Sequence, residues 1–253
     1  MLRTRVIPCL LLRNGGLVKT VKFADPKYVG DPINAVRIFN EKEVDELVFL
    51  DISATPAGRG PNLELVRDIA TEAFMPFGYG GGVRTIDQVA SLVALGVEKV
   101  VLNTVATEQP GFVRDASRLV GSSSVVVSID VRRSLFGKYE VVTCSGTRKT
   151  GLDPVEWARR VEDLGAGEIF LTAVDRDGTQ KGYDVPLLRQ VTDAVSIPVI
   201  ASGGAGSVED FRAAVREGRA SAVAAGSLFV FHGRHRAVLI TYPEYANLQQ
   251  VFE

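Results

Sequence analysis

A (β/α)8 TIM barrel built from two half-barrel repeats is the fold this sequence predicts, and three features predict it. Eight apolar segments alternate with amphipathic ones along 253 residues, the usual length of such a barrel. The strand segments are apolar on all sides, as parallel strands covered by helices are. The chain also repeats itself. Met75-Pro-Phe-Gly-Tyr-Gly-Gly-Gly-Val-Arg-Thr-Ile-Asp87 and Pro198-Val-Ile-Ala-Ser-Gly-Gly-Ala-Gly-Ser-Val-Glu-Asp210 both read as strand, glycine turn and helix start. The match extends to Phe49-Leu-Asp51 with Phe170-Leu-Thr172, and to Asn62–Ala70 with Asp184–Thr192. Its offset drifts from 119 (Val6 to Val125) to 123 (Val100 to Val223). A doubly wound open sheet is the alternative, but two four-unit halves close on themselves. No linker parts them, so one domain over residues 1–253 is expected.

In order, Arg5–Leu11 reads as a buried strand, Arg13-Asn-Gly-Gly16 as its turn and Leu17–Phe23 as a hairpin arm. Asp31-Pro32 opens the first helix, with Asp as N-cap and Pro at the first helical position. Glu46–Asp51 is strand two, followed by a Pro/Gly-rich loop and a helix from Asn62. Strand three runs into Gly80-Gly81-Gly82. Thr85 and Gln88 form the capping box of the next helix, and Gly96 ends it. Lys99–Asn103 is strand four, with a helix near Phe112–Leu119 after it. Ser123–Asp130 is strand five, and Arg132–Ser145 a hairpin with Gly137 at its turn. Asp153-Pro154 opens another helix, Glu168–Thr172 is strand six, and Asp175–Gly182 a polar loop. A helix from Asp184, strand seven, the second glycine turn, a helix from Ser207 and strand eight follow. Gly226-Ser227 leads into a short amphipathic piece, and the tail Arg236–Glu253 ends helical.

Composition sets limits. Apolar residues make up 46 % and aromatics 8 %, which suits a large core. A net charge of −1 argues against nucleic acid and against membrane binding by charge. No apolar run nears the roughly 18 residues that span a bilayer, and the first residues lack a signal peptide's apolar segment. Cys9 and Cys144 make no disulfide framework, no spacing suggests a metal, and a reducing cytoplasm is the expected setting.

In a barrel of this kind the active site lies at the strand C-terminal ends. Asp51, Asn103, Thr104, Asp130, Thr172, Asp175, Asp177, Ser202 and Ser227 all follow apolar strand residues, and Lys19 sits on the loop after strand one. Strand termination or helix capping is the competing reading for Asp51 and Ser202. It does not serve Asp130, which has no helix start just after it and can act as general acid or base. The glycine turns offer backbone N–H groups to an anion. Gly81 and Gly82 with Asn103 and Thr104 form one expected site. Gly203 and Gly204 with Gly226 and Ser227 form the other, and together they suit a substrate with a phosphate at each end. A tight turn without ligand competes with this. At the opposite ends of the strands, Arg5, Glu46, Lys99 and Glu168 alternate in sign and either form a ring around the axis or pair as ordinary surface charges. His232 and His235, flanking Gly233-Arg234, read as a solvated basic turn.

Ile7-Pro-Cys9, Asp45–Asp51, Gly80–Gly82, Gly165–Glu168, Asp175-Arg-Asp-Gly-Thr179 and Ile200–Gly206 together resemble the cyclase subunit of imidazole glycerol phosphate synthase, over nearly the whole chain. The resemblance implies a bis-phosphorylated small-molecule substrate at the C-terminal face and adds Asp177 and Gly178 to the phosphate-binding set. It implies no cofactor. It further implies a glutaminase subunit as heterodimer partner on the other face, ammonia passing through the barrel, and Arg5, Glu46, Lys99 and Glu168 as its gate. The family cyclises with two aspartates and a lysine. Asp130 and Lys19 match, but Leu11 stands where the first aspartate belongs. The loop Leu10–Gly16 and the tail Ala237–Pro243 look like relatives that accompany amidotransferases of surface-polysaccharide sugars. An ammonia channel for a sugar amidotransferase in lipopolysaccharide biosynthesis is therefore the alternative. A phosphosugar isomerase is a third reading, against which Leu11 also counts.

Overall fold

A computed structural model describes residues 4–134, 136–233 and 235–253. Residues 1–3, read above as lacking a leader, Leu135 in the hairpin and Arg234 in the basic turn lie outside them. Eight parallel strands among the described residues close on themselves. They are β1 (Arg5–Arg13), β2 (Leu47–Asp51), β3 (Phe77–Gly80), β4 (Lys99–Leu102), β5 (Val125–Arg133), β6 (Glu168–Ala173), β7 (Val199–Ser202) and β8 (Ala222–Ala225). Each pairs with its successor, and β8 returns to β1, where Ile7 lies opposite Ala224. The fold is the (β/α)8 barrel, not the open sheet.

Helices surround the barrel, and several begin at a side-chain cap. They are α1 (Pro32–Glu41), α2 (Leu63–Glu72), α3 (Ile86–Ala94), α4 (Gly111–Val120), α5 (Pro154–Asp163), α6 (Val185–Thr192), α7 (Val208–Arg216) and α8 (Tyr245–Phe252). Asp31 accepts from Asn34 N–H at 2.9 Å and Asp153 from Val155 N–H at 2.9 Å, each just before a proline that needs no partner. Thr85 and Gln88 close the capping box before α3. Each helix buries a stripe, such as Ala35, Val36 and Phe39 of α1, against the outer face of the strands.

Two excursions rise from the C-terminal mouth. After β1 comes an antiparallel arm, Gly16–Val21, and then a further strand, Ala24–Gly30, that the sequence reading did not anticipate. After β5, the arm Tyr139–Thr143 folds back with Gly137 in left-handed backbone (φ +81°), as expected of a hairpin turn. Short helical turns, Thr104–Glu108 and Ser227–Val230, start directly after β4 and β8. The first of these was also missed.

The period-2 alternation of the strands divides the chain into two apolar regions. One lies between strands and helices. The other fills the barrel itself, with Ile7, Cys9, Leu11, Val48, Val101, Val126, Phe170, Ile200, Ala222 and Ala224. No helix among the described residues is long and apolar enough to cross a membrane.

Candidate functional site

A cleft of about 930 Å³, open to solvent, lies at the strand C-terminal ends. Leu11, Leu50, Val101 and Phe170 form its apolar wall. Asn103, Asp130, Thr172 and Ser202 bring polar groups to it.

Asp130 is 8 % exposed. Its Oδ1 accepts from Ser128 Oγ at 3.1 Å and its Oδ2 from Asn103 Nδ2 at 3.2 Å. Burial pushes its carboxyl up to about 7, with Asp177 pushing the same way and the hydrogen bonds from Ser128 and Thr172 opposing. Such a group is half-ionised near neutral pH, which suits proton transfer. Leu11 lines the same cleft and is 8 % exposed, so the first half-barrel brings a hydrocarbon to the place where the second brings an acid.

Lys19 lies in the antiparallel arm Gly16–Val21, in agreement with the hairpin arm expected over Leu17–Phe23 and not with a loop position, because the arm zips against β1 with Leu11 opposite Val18. It is buried, and its ammonium donates to the Cys9 carbonyl at 2.6 Å. Burial lowers its pKa, with the Cys9 thiol and Asp177 opposing. A side chain at Gly226 would come within 2.0 Å of Lys19 Nζ, so a glycine there is what admits the lysine.

The two glycine turns share a backbone but differ in their surroundings. Gly81 and Gly82 have φ of +117° and +74°, and a Cβ on Gly82 would meet the Arg59 carbonyl at 2.6 Å. Here Gly82 N–H donates to Thr55 Oγ1 at 3.2 Å, and Thr104 Oγ1 accepts from Cys144 N–H at 3.1 Å. The Asn103 side chain turns away to Asp130 and the Ser128 carbonyl. Around Gly203 and Gly204, a smaller cavity is lined by Lys19, Asp177, Gly178, Gly226 and Ser227. Gly178 packs so closely on the Thr20 carbonyl that a Cβ would sit at 2.1 Å. Asp177 Oδ2 accepts from Thr20 Oγ1 at 3.1 Å, and burial raises its pKa against the pull of Lys19.

Other candidates have local duties. Asp51 accepts from Ser53 N–H and Oγ and from Ala54 N–H, which ties up its Oδ1 in a turn. Asp175 holds Arg133 N–H at 2.7 Å and so fixes the β5 hairpin. His232 and His235 are exposed. The sequence reading missed Ser128, Phe23 and Ser145, all of which line the cleft. Ser128 had a signal, since it stands two residues before Asp130 and therefore on the same face of β5. Phe23 and Ser145 had none, because the meeting of two hairpin tips is a tertiary event.

At the opposite mouth the four charges do form a ring. Arg5 bridges Glu46 and Glu168, and Lys99 reaches Glu168 and, at 3.5 Å, Glu46. Burial raises the Glu46 pKa, with Lys99 and Arg5 opposing. Its Oε1 is buried without a partner among the described residues.

Fold and cleft together define a (β/α)8-barrel protein with its candidate site at the strand C-terminal ends. The family model described as "Histidine biosynthesis protein" matches residues 5–235. A Pseudomonas aeruginosa protein with the provisional name imidazole glycerol phosphate synthase subunit hisF2 is 54 % identical over 248 residues, 98 % of this chain and 99 % of that one. One from Leptospira borgpetersenii, provisionally named as the HisF subunit, is 46 % identical over the full length of both chains. The imidazole glycerol phosphate synthase subunit HisF of Alkaliphilus metalliredigens is 47 % identical over 92 % of each. The chain belongs to the histidine biosynthesis protein family and, within it, to the cyclase-subunit family of imidazole glycerol phosphate synthase.

Proposed function

We propose that this chain is an ammonia-using synthase subunit of the imidazole glycerol phosphate synthase type whose cyclisation of the histidine-pathway substrate is weakened by Leu11. The observation that carries this reading is the apolar column inside the barrel, with the charged ring at one end and Asp130 at the other. Ammonia is small and uncharged in its basic form, so an apolar passage conducts it while excluding ammonium and bulk water. A glutaminase subunit delivers it at the ring, where Arg5, Glu46, Lys99 and Glu168 form the gate. A bis-phosphorylated substrate spans the two glycine turns, one phosphate against Gly81, Gly82, Asn103 and Thr104, the other against Asp177, Gly178, Gly203, Gly204, Gly226 and Ser227. Asp130 exchanges the proton, and Lys19 supplies the positive charge. The cytoplasm is the setting, in keeping with two unpaired cysteines.

Leu11 favours a second reading, in which ammonia moves on to a sugar amidotransferase of surface-polysaccharide synthesis and the barrel serves as conduit. Rescue of a histidine auxotroph separates the two. Weak, slow rescue is expected of a cyclase hampered by Leu11; no rescue at all would favour the conduit, and full rescue would mean that Leu11 costs the cyclase nothing. The gate is tested by Lys99→Met, which should lower glutamine-dependent turnover with the glutaminase bound while the fold persists. Unchanged glutamine-dependent and ammonium-dependent rates would remove the gate assignment.

A further inference from the structure

We propose that Ser128 is a positioning residue for Asp130, its hydroxyl fixing one carboxylate oxygen and favouring the ionised form. This rests on the reading of Asp130 as the proton-transfer group. Ser128 is 7 % exposed and faces the barrel axis on β5. Its inward neighbours in sequence and space, Val101, Val126, Phe170 and Ile200, are hydrocarbon. A hydroxyl in such a layer costs free energy unless it finds a partner. The partner here is Asp130 Oδ1 at 3.1 Å.

The geometry is two-sided. Asn103 Nδ2 donates to Oδ2 at 3.2 Å while also donating to the Ser128 carbonyl at 2.9 Å, so each carboxylate oxygen has its own donor and the carboxylate plane is fixed. Thr104 Oγ1 in turn reaches Asn103 Oδ1 at 3.3 Å, which ties this clamp to the first glycine turn. From β1, the side facing Asp130 across the cleft offers only Leu11 and the Cys9 thiol, neither of them a strong donor. What the neighbouring half-barrel withholds, β5 supplies from its own preceding inward position.

The titratable groups that act on or with Asp130 come from two further elements, Cys9 on β1 and Asp177 after β6, with Thr172 on β6 adding a hydroxyl; Lys19 on the first hairpin arm acts on Cys9 and Asp177. Asp177 and burial both disfavour the carboxylate, and Ser128 and Thr172 oppose them. Removing the Ser128 hydroxyl must therefore move Asp130 toward the neutral acid.

The test is a ¹³C-carboxyl NMR titration of the full-length chain labelled at aspartate, with the Asp130 signal identified by its loss in Asp130→Asn. Ser128→Ala should raise the Asp130 midpoint by about one pH unit, the scale of a hydrogen bond to a charged group. Ser128→Cys, close in size and a weaker donor, should raise it by less. Ser128→Thr, which keeps the hydroxyl, should restore the wild-type midpoint. A midpoint unchanged in both the Ala and Cys variants would overturn the proposal and leave Ser128 as a satisfied buried hydroxyl. No substrate enters the measurement, so its failure is distinct from a failure of the ammonia-using reading, which the turnover assays decide.

Discussion

Leu11 stands near the C-terminal end of β1, and 119 residues on, at the matching position of β5, stands Asp130. Both strands are nine residues long, both are followed by an antiparallel arm, and both present these side chains to one cleft. The helices after the two arms start alike, at Asp31-Pro32 and Asp153-Pro154. The half-barrels thus agree in many caps, in the paired glycines Gly81-Gly82 and Gly203-Gly204 and in their apolar stripes, and disagree at the cleft position held by Leu11 in one and Asp130 in the other. Architecture constrains the first set through strain and unsatisfied N–H groups. It does not constrain an inward-facing group at the mouth, which borders open cleft and accepts leucine or aspartate without changing the strand.

The largest effect available should come from erasing that disagreement. Leu11→Asp should raise ammonium-dependent turnover of the histidine-pathway substrate. A positioned carboxylate contributes about 10²–10⁴-fold, and the gain should fall short of the upper figure because burial raises the pKa of a new carboxyl. Adding Asp130→Asn to that variant should cancel the gain. Steady-state rates decide it, and an inert Leu11→Asp variant would mean that the two halves differ by more than one side chain.

A smaller effect concerns stability. Asp130 has a folded-state pKa of about 7, above that of a free carboxyl. Between roughly pH 4 and 7 the folded chain holds a proton that the unfolded chain has released, so this group's contribution is fully present below pH 4 and is lost as pH rises through 7. Asp130→Asn removes that dependence. The variant should gain on wild type by on the order of a few kcal/mol between pH 5 and pH 8, read as thermal midpoints at both pH values. Leu11→Ala, with no ionisable group, should show a pH-independent loss, and parallel pH profiles for the two variants would contradict the asymmetry.

The caps should differ least. Thr85 and Gln88 bond each other's backbone N–H groups before α3, whereas before α7 Asp210 accepts from Gly206 and Ser207 at 2.8 and 3.0 Å. Thr85→Ala and Asp210→Ala should each cost about 0.5–2 kcal/mol in urea unfolding, the second more because two donors to a charged group are lost. A cost confined to one of them would break the equivalence of the two turns.

Much of this was written in the chain. Proline after a capping aspartate, glycine after a strand and apolar period fix local geometry within a few residues, which is why all eight strands were readable from sequence. The strand Ala24–Gly30 was not, since its Asp25-Pro26-Lys27 centre has no strand character and is held only by pairing with the preceding arm. The charged ring was readable because its members sit at equivalent strand starts. Its pairings, with Arg5 spanning two glutamates, depend on how strands tilt around the axis. The burial of Lys19 was not readable for a similar reason: it follows from Gly226, which is distant in sequence.

The seam that closes the barrel joins β1 to β8, that is, the first strand to one more than 200 residues later, and Tyr242 in the tail donates to the Val6 carbonyl at 2.9 Å. On a ribosome that seam cannot form until nearly the whole chain has emerged. Until then β1 carries a bare parallel edge, the kind of edge that recruits other strands, and its contacts are among the longest in sequence that the chain must make. Joining the present termini and opening the chain between α4 and β5 would turn that seam into a local one and make the pairing of β4 with β5 the last to form, so a circular permutant cut there should move the bare edge from β1 to β5 and expose β1 to neighbouring chains for less time.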